Sequence, residues 1–547
     1  MPMKTLTYVS EQCARRYRSA GWWEGRTLLD DFNAAVARRP SATAVVGPDG
    51  RRMSFAELDE ESRRVAASFM AMGLEQGDVV SVQLPNWIEF VTVHLAATRL
   101  GAVTAPLLTS YREHELSYIL QVSRTSIAVI PGHYRDFDFP AMYAGLWQQL
   151  PELKQVVVVS GEALPSMRTY AESRASPAAA LPAREVRGDA VAALIFTSGT
   201  EARPKAVIHS HDTMMYGTRT MPKLLGLTHE DVVWAPTPLG HATGFLWGMR
   251  LALTLGCKLV LQDAWDAEDA LRLIEAERCT FTLAATPFVK MLLDSPSAGQ
   301  CDSASLRMFG CAGAPIPRSL GLEVEEKLGC RLIGMWGMSE CFVGSASLAT
   351  DPEEKHWGTD GRAMPGSELA IFDETRTRML PPGEIGELAT RGPHVALGYF
   401  DDPQRTAQAF SPEGWLFTGD LATLDAEGYM RIVGRKKDII NRGGLKISAR
   451  EVEDFLLQHP LVKEAVVVAV PDARLGEKSC ACIVPDGPRE PTLAELVQFL
   501  EARGIARYKL PESLAVLARL PMTPSGKIQK FALRDAVING GCAVETI

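Results

Sequence analysis

From Leu194 onward short apolar runs alternate with longer helical stretches, and no other feature of the chain restricts its fold as much. Residues 232–234, 258–261, 280–283, 306–309 and 331–335 read as strands, and residues 244–255, 267–277 and 317–328 as helices between them. Strands separated by helices of this length predict parallel sheets with helices on their faces, an α/β fold. The same rhythm is present earlier, where a helical period over 55–72 precedes the apolar run Val79-Val80-Ser81-Val82. Ligands of such sheets sit beyond the carboxyl ends of the strands, so the loops there are the candidate sites.

At 547 residues the chain exceeds what one core can serve, and two or more domains are expected. Between 367 and 431 the texture changes to short β segments and tight turns, as at Pro381-Pro382-Gly383, and predicts a smaller β-rich subdomain. Gly434-Arg435-Lys436-Lys437-Asp438 is highly charged and reads as a boundary. Beyond it a strand at 439–440, a helix at 448–458, a strand at 466–470 and a helix at 493–502 form a compact α+β unit. The expected division is a large N-terminal domain, 1–434, and a small C-terminal domain, 435–547.

A net charge of −9 and a pI near 5.7 argue against general nucleic-acid binding, which usually needs a basic face. No window approaches the roughly 20 apolar residues of a membrane span. The stretch around Arg15, Arg16 and Arg18 lacks the apolar segment of a signal peptide. The ten cysteines are scattered, and the close pair Cys480 and Cys482 is not C-x-x-C, a pattern that suits reduced thiols. A cytoplasmic protein is expected.

The apolar run 191–196 stops at Thr197-Ser198-Gly199-Thr200, and Pro204-Lys205 follows. Glycine relaxes the backbone there, hydroxyls and N–H groups offer donors, and the lysine adds a compact charge; together these suit a polyphosphate. A polar strand-to-helix turn would carry the same residues. The spacing is not that of a Walker A loop, so no kinase or GTPase core is implied.

Thr-Ser-Gly-Thr-x-x-x-Pro-Lys resembles the phosphate loop of the adenylate-forming superfamily, which includes acyl-CoA and aryl-CoA ligases, nonribosomal adenylation domains and firefly luciferase. Further segments match in the same order from about Trp22 to Leu533. The resemblance implies that Thr197, Ser198, Gly199, Thr200 and Lys205 meet the phosphates of ATP, Thr197 also taking part in catalysis. Gly310-Cys311-Ala312-Gly313-Ala314-Pro315 resembles the adenine loop, with Gly313, Ala314 and Pro315 against the base. Trp336-Gly337-Met338-Ser339-Glu340 resembles the family's Tyr-Gly-x-Thr-Glu. There Glu340 would act in catalysis as a ligand of Mg2+, a cation suited to carboxylate and phosphate oxygens. Trp336 replaces the usual tyrosine and keeps a ring to stack on adenine without the phenolic hydroxyl. Thr418-Gly419-Asp420 resembles the ribose site, joined by Ile432 and Arg435.

Pro238-Leu239-Gly240-His241-Ala242-Thr243-Gly244 matches the family's Pro-Leu-x-His-x-x-Gly segment, which places the catalytic candidate His241 between the carboxylate and thiol entrances. Gly240 stands where a bulky aromatic is common, and a locally wider acyl pocket is expected. His209 and His211 have the spacing of a metal pair but fall on a strand-to-helix junction, and no metal is expected there. Gly434–Asp438 resembles the hinge, with Lys437 at the pivot; Gly443-Gly444-Leu445-Lys446 resembles the loop that touches pantetheine, through Gly444 and Lys446. Pro521-Met522-Thr523-Pro524-Ser525-Gly526-Lys527 resembles the loop whose lysine, here Lys527, reaches the substrate carboxylate and α-phosphate.

The family's fold is a large adenylation domain with a small mobile α+β lid. The implied activity is ATP-dependent ligation of a carboxylic acid to coenzyme A through an acyl-adenylate. Mainly small or apolar residues at 240–247, 312–314 and 335–338, with Cys341, predict a monocarboxylic acid, alicyclic, aromatic or short-to-medium aliphatic. Cyclohexanecarboxylate-type CoA ligases and 2,3-dihydroxybenzoate-AMP ligases look most similar. The latter typically carry asparagine after the histidine, and Ala242 in its place favours the CoA ligases. Two alternatives are a stand-alone ligase that loads a carrier protein and a nucleotide-binding protein without catalysis. The family default is a monomer or homodimer.

Overall fold

The structure, a computed structural model, describes residues 11–546 except 178–180, 182–184, 198–203, 314–315, 317, 349 and 524–525. By its contacts the chain parts into two compact units, Met1–Glu368 with Thr390–Leu416, and Leu369–Ala389 with Phe417–Ile547. The expected boundary at 434 lies inside the second of these.

The first unit holds two mainly parallel sheets. One runs in the order Lys205–Ser210, Val191–Thr197, Val103–Pro106, Val79–Val82, Thr125–Pro131, Gln155–Val159 and Arg168–Thr169, with antiparallel pairing only between the first two. In the other, Arg331–Trp336, Met308–Ala312, Phe281–Ala285, Val232–Ala235, Lys258–Leu261 and Thr43–Val46 are parallel neighbours. Short antiparallel strands close its two edges. Runs such as Val79–Val82 and Phe281–Ala285 are buried along their whole length, as strands covered on both faces must be.

Most of the expected elements form close to the expected places. The helix Phe55–Ala71 starts at a reciprocal cap, in which Ser54 Oγ accepts from Glu57 N and the Glu57 carboxylate accepts from Ser54 N. The helix Ala267–Glu277 and the strand Lys258–Leu261 match their predicted bounds. The strand expected at 306–309 forms instead at Met308–Ala312, in register with Phe281–Ala285. The helix expected over 244–255 is present but begins as a π-helix, Gly244–Arg250, and becomes an α-helix over Leu251–Leu255. Widened turns of this kind are rare and recur at functional sites.

In the second unit Leu416–Leu424 and Met430–Arg435 form an antiparallel pair within a four-stranded sheet, the expected β-rich texture. Beyond it Ile439–Arg442 and Leu445–Ser448 make a hairpin, and Val462–Asp472 pairs along Gly476–Pro485. The helices Ala449–Leu456 and Leu493–Ala502 pack apolar faces into the same core through Val452, Leu456, Leu496 and Leu500. Among the described residues no helix is long and apolar enough to cross a membrane.

Candidate functional site

The stretch after residue 197 joins two antiparallel strands, not a strand to a helix. Thr197 ends one strand, Lys205 begins the next, and the two are paired directly across the ladder. The helix starts later, at His211, capped by Ser210 Oγ, which accepts from Thr213 N at 3.2 Å. Ser198, Gly199 and Thr200 lie outside the described residues, as do Ala314 and Pro315. Gly313 follows the strand Met308–Ala312 with φ of 86°, a conformation that favours glycine.

Trp336 ends the strand Arg331–Trp336, and a tight loop follows it. Gly337 is obligatory there, because a Cβ would fall 1.6 Å from the Phe342 carbonyl oxygen. Phe342 itself has φ of 53°, a strained value for an aromatic residue. Long-range bonds hold this loop. His209 Nε2 donates to the Ser339 carbonyl at 2.8 Å, and its ring lies 4.1 Å from that of Phe342. That bond fixes the tautomer and leaves Nδ1 to accept from the Thr213 hydroxyl at 3.1 Å. Burial pushes the His209 pKa down to about 4, so the ring is neutral. His209 thus serves the loop of Glu340. His211, one residue beyond the strand, is buried in the core with its pKa pushed down to about 3.

Glu340 is buried and is held at both ends. Its carbonyl accepts from Ala396 N at 2.8 Å, and its Oε1 accepts from the Tyr399 hydroxyl at 2.7 Å. The Tyr399 ring in turn faces the Lys205 ammonium, 5.5 Å from the ring centroid. The structure therefore links Lys205 and Glu340, two sequence-predicted residues, through a tyrosine that the motifs do not contain.

His241 follows a turn in which Asn86, a buried side chain also missed by sequence reasoning, accepts from Leu239 N at 2.7 Å. Asn86 Nδ2 donates to the carbonyls of Ala235, Thr237 and Gln262. His241 Nδ1 accepts from Thr243 N at 3.2 Å, which makes Nε2 the ring nitrogen that carries the N–H. The expected pocket widening at Gly240 is not what the structure shows. A Cβ on Gly240 would meet the Leu107 carbonyl oxygen at 2.3 Å and Leu108 N at 2.9 Å, so the missing side chain admits neighbouring backbone. Arg250, on the helix after His241, is fully buried and donates to His94 Nε2 at 2.9 Å within the core.

In the second unit the ribose candidates meet by strand register. Asp420 and Arg435 are opposite one another, and Arg435 Nε lies 2.8 Å from Asp420 Oδ1. Thr418 Oγ1 accepts from Asp420 N at 3.1 Å and donates to the Leu388 carbonyl, anchoring the turn at Gly419. Ile432 is half-buried on the same strand as Arg435. Lys437 is exposed in a 3-10 turn, Lys436–Asp438. Gly443 and Gly444, with φ of 59° and 90°, turn the hairpin that carries Lys446, whose ammonium pairs with Glu374. Lys527 is exposed on a separate turn, where its N–H donates to Thr523 Oγ1 at 3.0 Å and its carbonyl accepts from Thr523 N.

Among the described residues no three His, Cys, Asp or Glu side chains gather as a metal cage. A lone carboxylate such as Glu340 still fits Mg2+, which keeps several waters and takes substrate phosphate oxygens for its other positions.

The family described as AMP-binding enzyme matches residues 32–400, and its C-terminal domain matches residues 451–527. A medium-chain fatty-acid–CoA ligase of Escherichia coli (strain K12) is 40% identical over 538 residues, which cover 98% of this chain and 95% of the relative. A 2,3-dihydroxybenzoate-AMP ligase of Bacillus subtilis (strain 168) is 35% identical over 540 residues, 98% of each chain. Among solved structures, the anthranilate CoA ligase AuaEII in complex with anthranoyl-AMP superposes with a TM-score of 0.85 at 27% identity, covering 94% of this chain and 97% of that one.

Proposed function

The chain belongs to the AMP-binding enzyme family, and from that premise we propose that it is an ATP-dependent carboxylic acid–CoA ligase acting on a monocarboxylic acid. The observation that carries this reading is the Lys205–Tyr399–Glu340 linkage, which sets a cation and a carboxylate against one tyrosine at the start of the strand Lys205–Ser210. Within the proposed acid class, a medium-chain aliphatic acid is supported by the first relative's name and by the apolar Ala242 after the histidine.

A carboxylate acylates poorly because its oxygen must leave with negative charge; esterified to AMP, it has a good leaving group. In the first step a carboxylate oxygen attacks the α-phosphorus of ATP, the new C–O–P bond forms and pyrophosphate departs. Alignment and charge neutralisation are the protein's tasks. Lys527 neutralises the carboxylate and α-phosphate, Lys205 and Thr197 hold the outer phosphates, and the Asp420–Arg435 pair takes the ribose hydroxyls. When Mg2+ is bound, Glu340 would hold it, and the ion would supply further neutralisation of phosphate charge. In the second step the CoA thiolate attacks the acyl carbon and AMP leaves; Gly444 and Lys446 meet the pantetheine arm and His241 lines the acyl entrance. Residues 435–547 are proposed as the lid, pivoting at Lys437.

Pyrophosphate release across a panel of acids, measured with and without CoA, tests the proposal. Thioester formed from free CoA with an apolar monocarboxylic acid is expected. Turnover only with a phosphopantetheinylated carrier protein would establish the carrier-loading alternative, which the acid–AMP ligase among the relatives keeps in view. Nucleotide binding with no pyrophosphate release for any acid would exclude both.

A further inference from the structure

Tyr399 belongs to none of the motif segments, yet it touches residues from two of them. Residues 397–400 run beside the strand Lys205–Ser210. Leu397 N donates to Ile208 O and Ile208 N to Gly398 O, both at 2.9 Å, and Phe400 N donates to Ala206 O at 2.8 Å. Tyr399 pairs across this ladder with Val207. Its N–H donates to Thr406 Oγ1 at 3.0 Å, and its ring packs edge-on to Phe410. The backbone is thus fixed on both sides, and the ring is aimed so that one face meets Lys205 while the hydroxyl reaches Glu340.

Tyr399 and Glu340 are each only 5% exposed. A carboxylate removed from water needs compensating hydrogen bonds, and a phenol donating at 2.7 Å is a strong one. Such a donor also restricts the torsions of the glutamate. Outer-shell hydrogen bonds of this kind orient ligating carboxylates toward their ion.

The geometry points to Tyr399 as a positioning residue: its hydroxyl orients Glu340 toward a divalent cation, and its ring separately steadies the ammonium of Lys205. The inference rests on the role proposed for Glu340. The two contacts can be separated, because Tyr399→Phe keeps the ring and loses the hydroxyl, whereas Tyr399→Leu loses both.

Binding of Mn2+ in the presence of a non-hydrolysable ATP analogue, followed by electron paramagnetic resonance of the free ion, reads the metal directly. Binding of the same analogue in EDTA reads the phosphate contacts alone. Tyr399→Phe should weaken Mn2+ by about 10-fold or more, the scale for a lost outer-shell partner, with metal-free analogue binding as in the wild type and a melting temperature lowered by only a few degrees, the cost of one lost buried hydrogen bond. Tyr399→Leu should weaken both. Wild-type Mn2+ affinity in Tyr399→Phe alongside a loss in Glu340→Gln would overturn the inference and leave the role of Glu340 intact. Wild-type affinity in both variants would remove the metal role of Glu340 and the inference with it. Equal losses with and without metal in Tyr399→Phe, or a collapse of its stability, would show that the tyrosine supports only the fold.

Discussion

Replacing Gly240 by alanine separates two accounts of a missing side chain. If the glycine opens the acyl pocket, a methyl group there should leave stability unchanged and shift preference toward smaller acids. The structure argues otherwise. The added Cβ would stand 2.3 Å from Leu107 O, 2.6 Å from Leu107 C and 2.9 Å from Leu108 N, all backbone atoms that cannot rotate away. That backbone is itself pinned, since Leu107 N donates to Val82 O at 2.9 Å and Gln83 Nε2 donates to Leu108 O at 3.0 Å. Overpacking a well-filled site costs about 1–3 kcal/mol, and three rigid contacts on one methyl place this case near ~3 kcal/mol. At ~2 °C per kcal/mol for a large domain, the melting temperature should fall by about 6 °C. Thermal unfolding of Gly240→Ala measures the loss, and pyrophosphate release across acids of graded size measures preference. A roughly uniform decline in activity is expected. A variant as stable as the wild type with preference moved to shorter acids would refute the backbone-approach account.

Lys527→Ala should lower adenylate formation by roughly 10²–10³, the effect of one lost electrostatic contact, as read by ATP–pyrophosphate exchange. Because Lys527 is exposed, its melting temperature should not move. Lys437→Pro should impair thioester formation more than adenylation, since proline fixes φ and restricts any pivot at this turn; equal losses in the two half-reactions would argue against the hinge. Acid should unfold the first unit early. Burial lowers the pKa of His209 to about 4 and those of His211 and His394 to about 3, so the folded state resists protons that unfolded histidines take up below about 6.5. Their contribution is complete above that pH and is lost progressively as pH falls, about 2 kcal/mol for His209 by pH 5. Urea midpoints at pH 7 and pH 5 check this, and His209→Gln should show a shallower pH dependence.

Elements governed by local sequence were legible: Ala267–Glu277 has its Asp266 cap and Lys258–Leu261 its apolar run, and both form at the predicted bounds. The Asp420–Arg435 pair was legible as two motif residues, although their contact comes from strand register. What escaped depends on partners distant in sequence. Tyr399 carries no signal of its own, because its meaning comes from a ladder that sets residues 397–400 beside 206–208. Asn86 reads as an ordinary turn residue until the Ala235–Leu239 segment closes on it. His209 and His211 have H-x-H spacing but lie on either side of a strand-to-helix junction, where His209 bonds Thr213 and Ser339 while neither ring nitrogen of the buried His211 has a hydrogen-bond partner among the described residues.

Gly240 and Gly337 show why a glycine in a motif is ambiguous until its neighbours are known. Both are close-approach positions whose φ needs no glycine, and both exclude a side chain because backbone fills the space. At Gly337 the intruding atom is the carbonyl of Phe342, the strained residue two beyond Glu340. The loop that presents Glu340 is therefore fixed by an internal backbone contact, by His209 on Ser339 and by Tyr399 on the carboxylate itself. Two of these restraints act on the backbone of the loop and one on the acidic side chain itself. They are the arrangement expected where a charge must be held in place before its ligand arrives, because orientation paid for during folding is not lost again on binding.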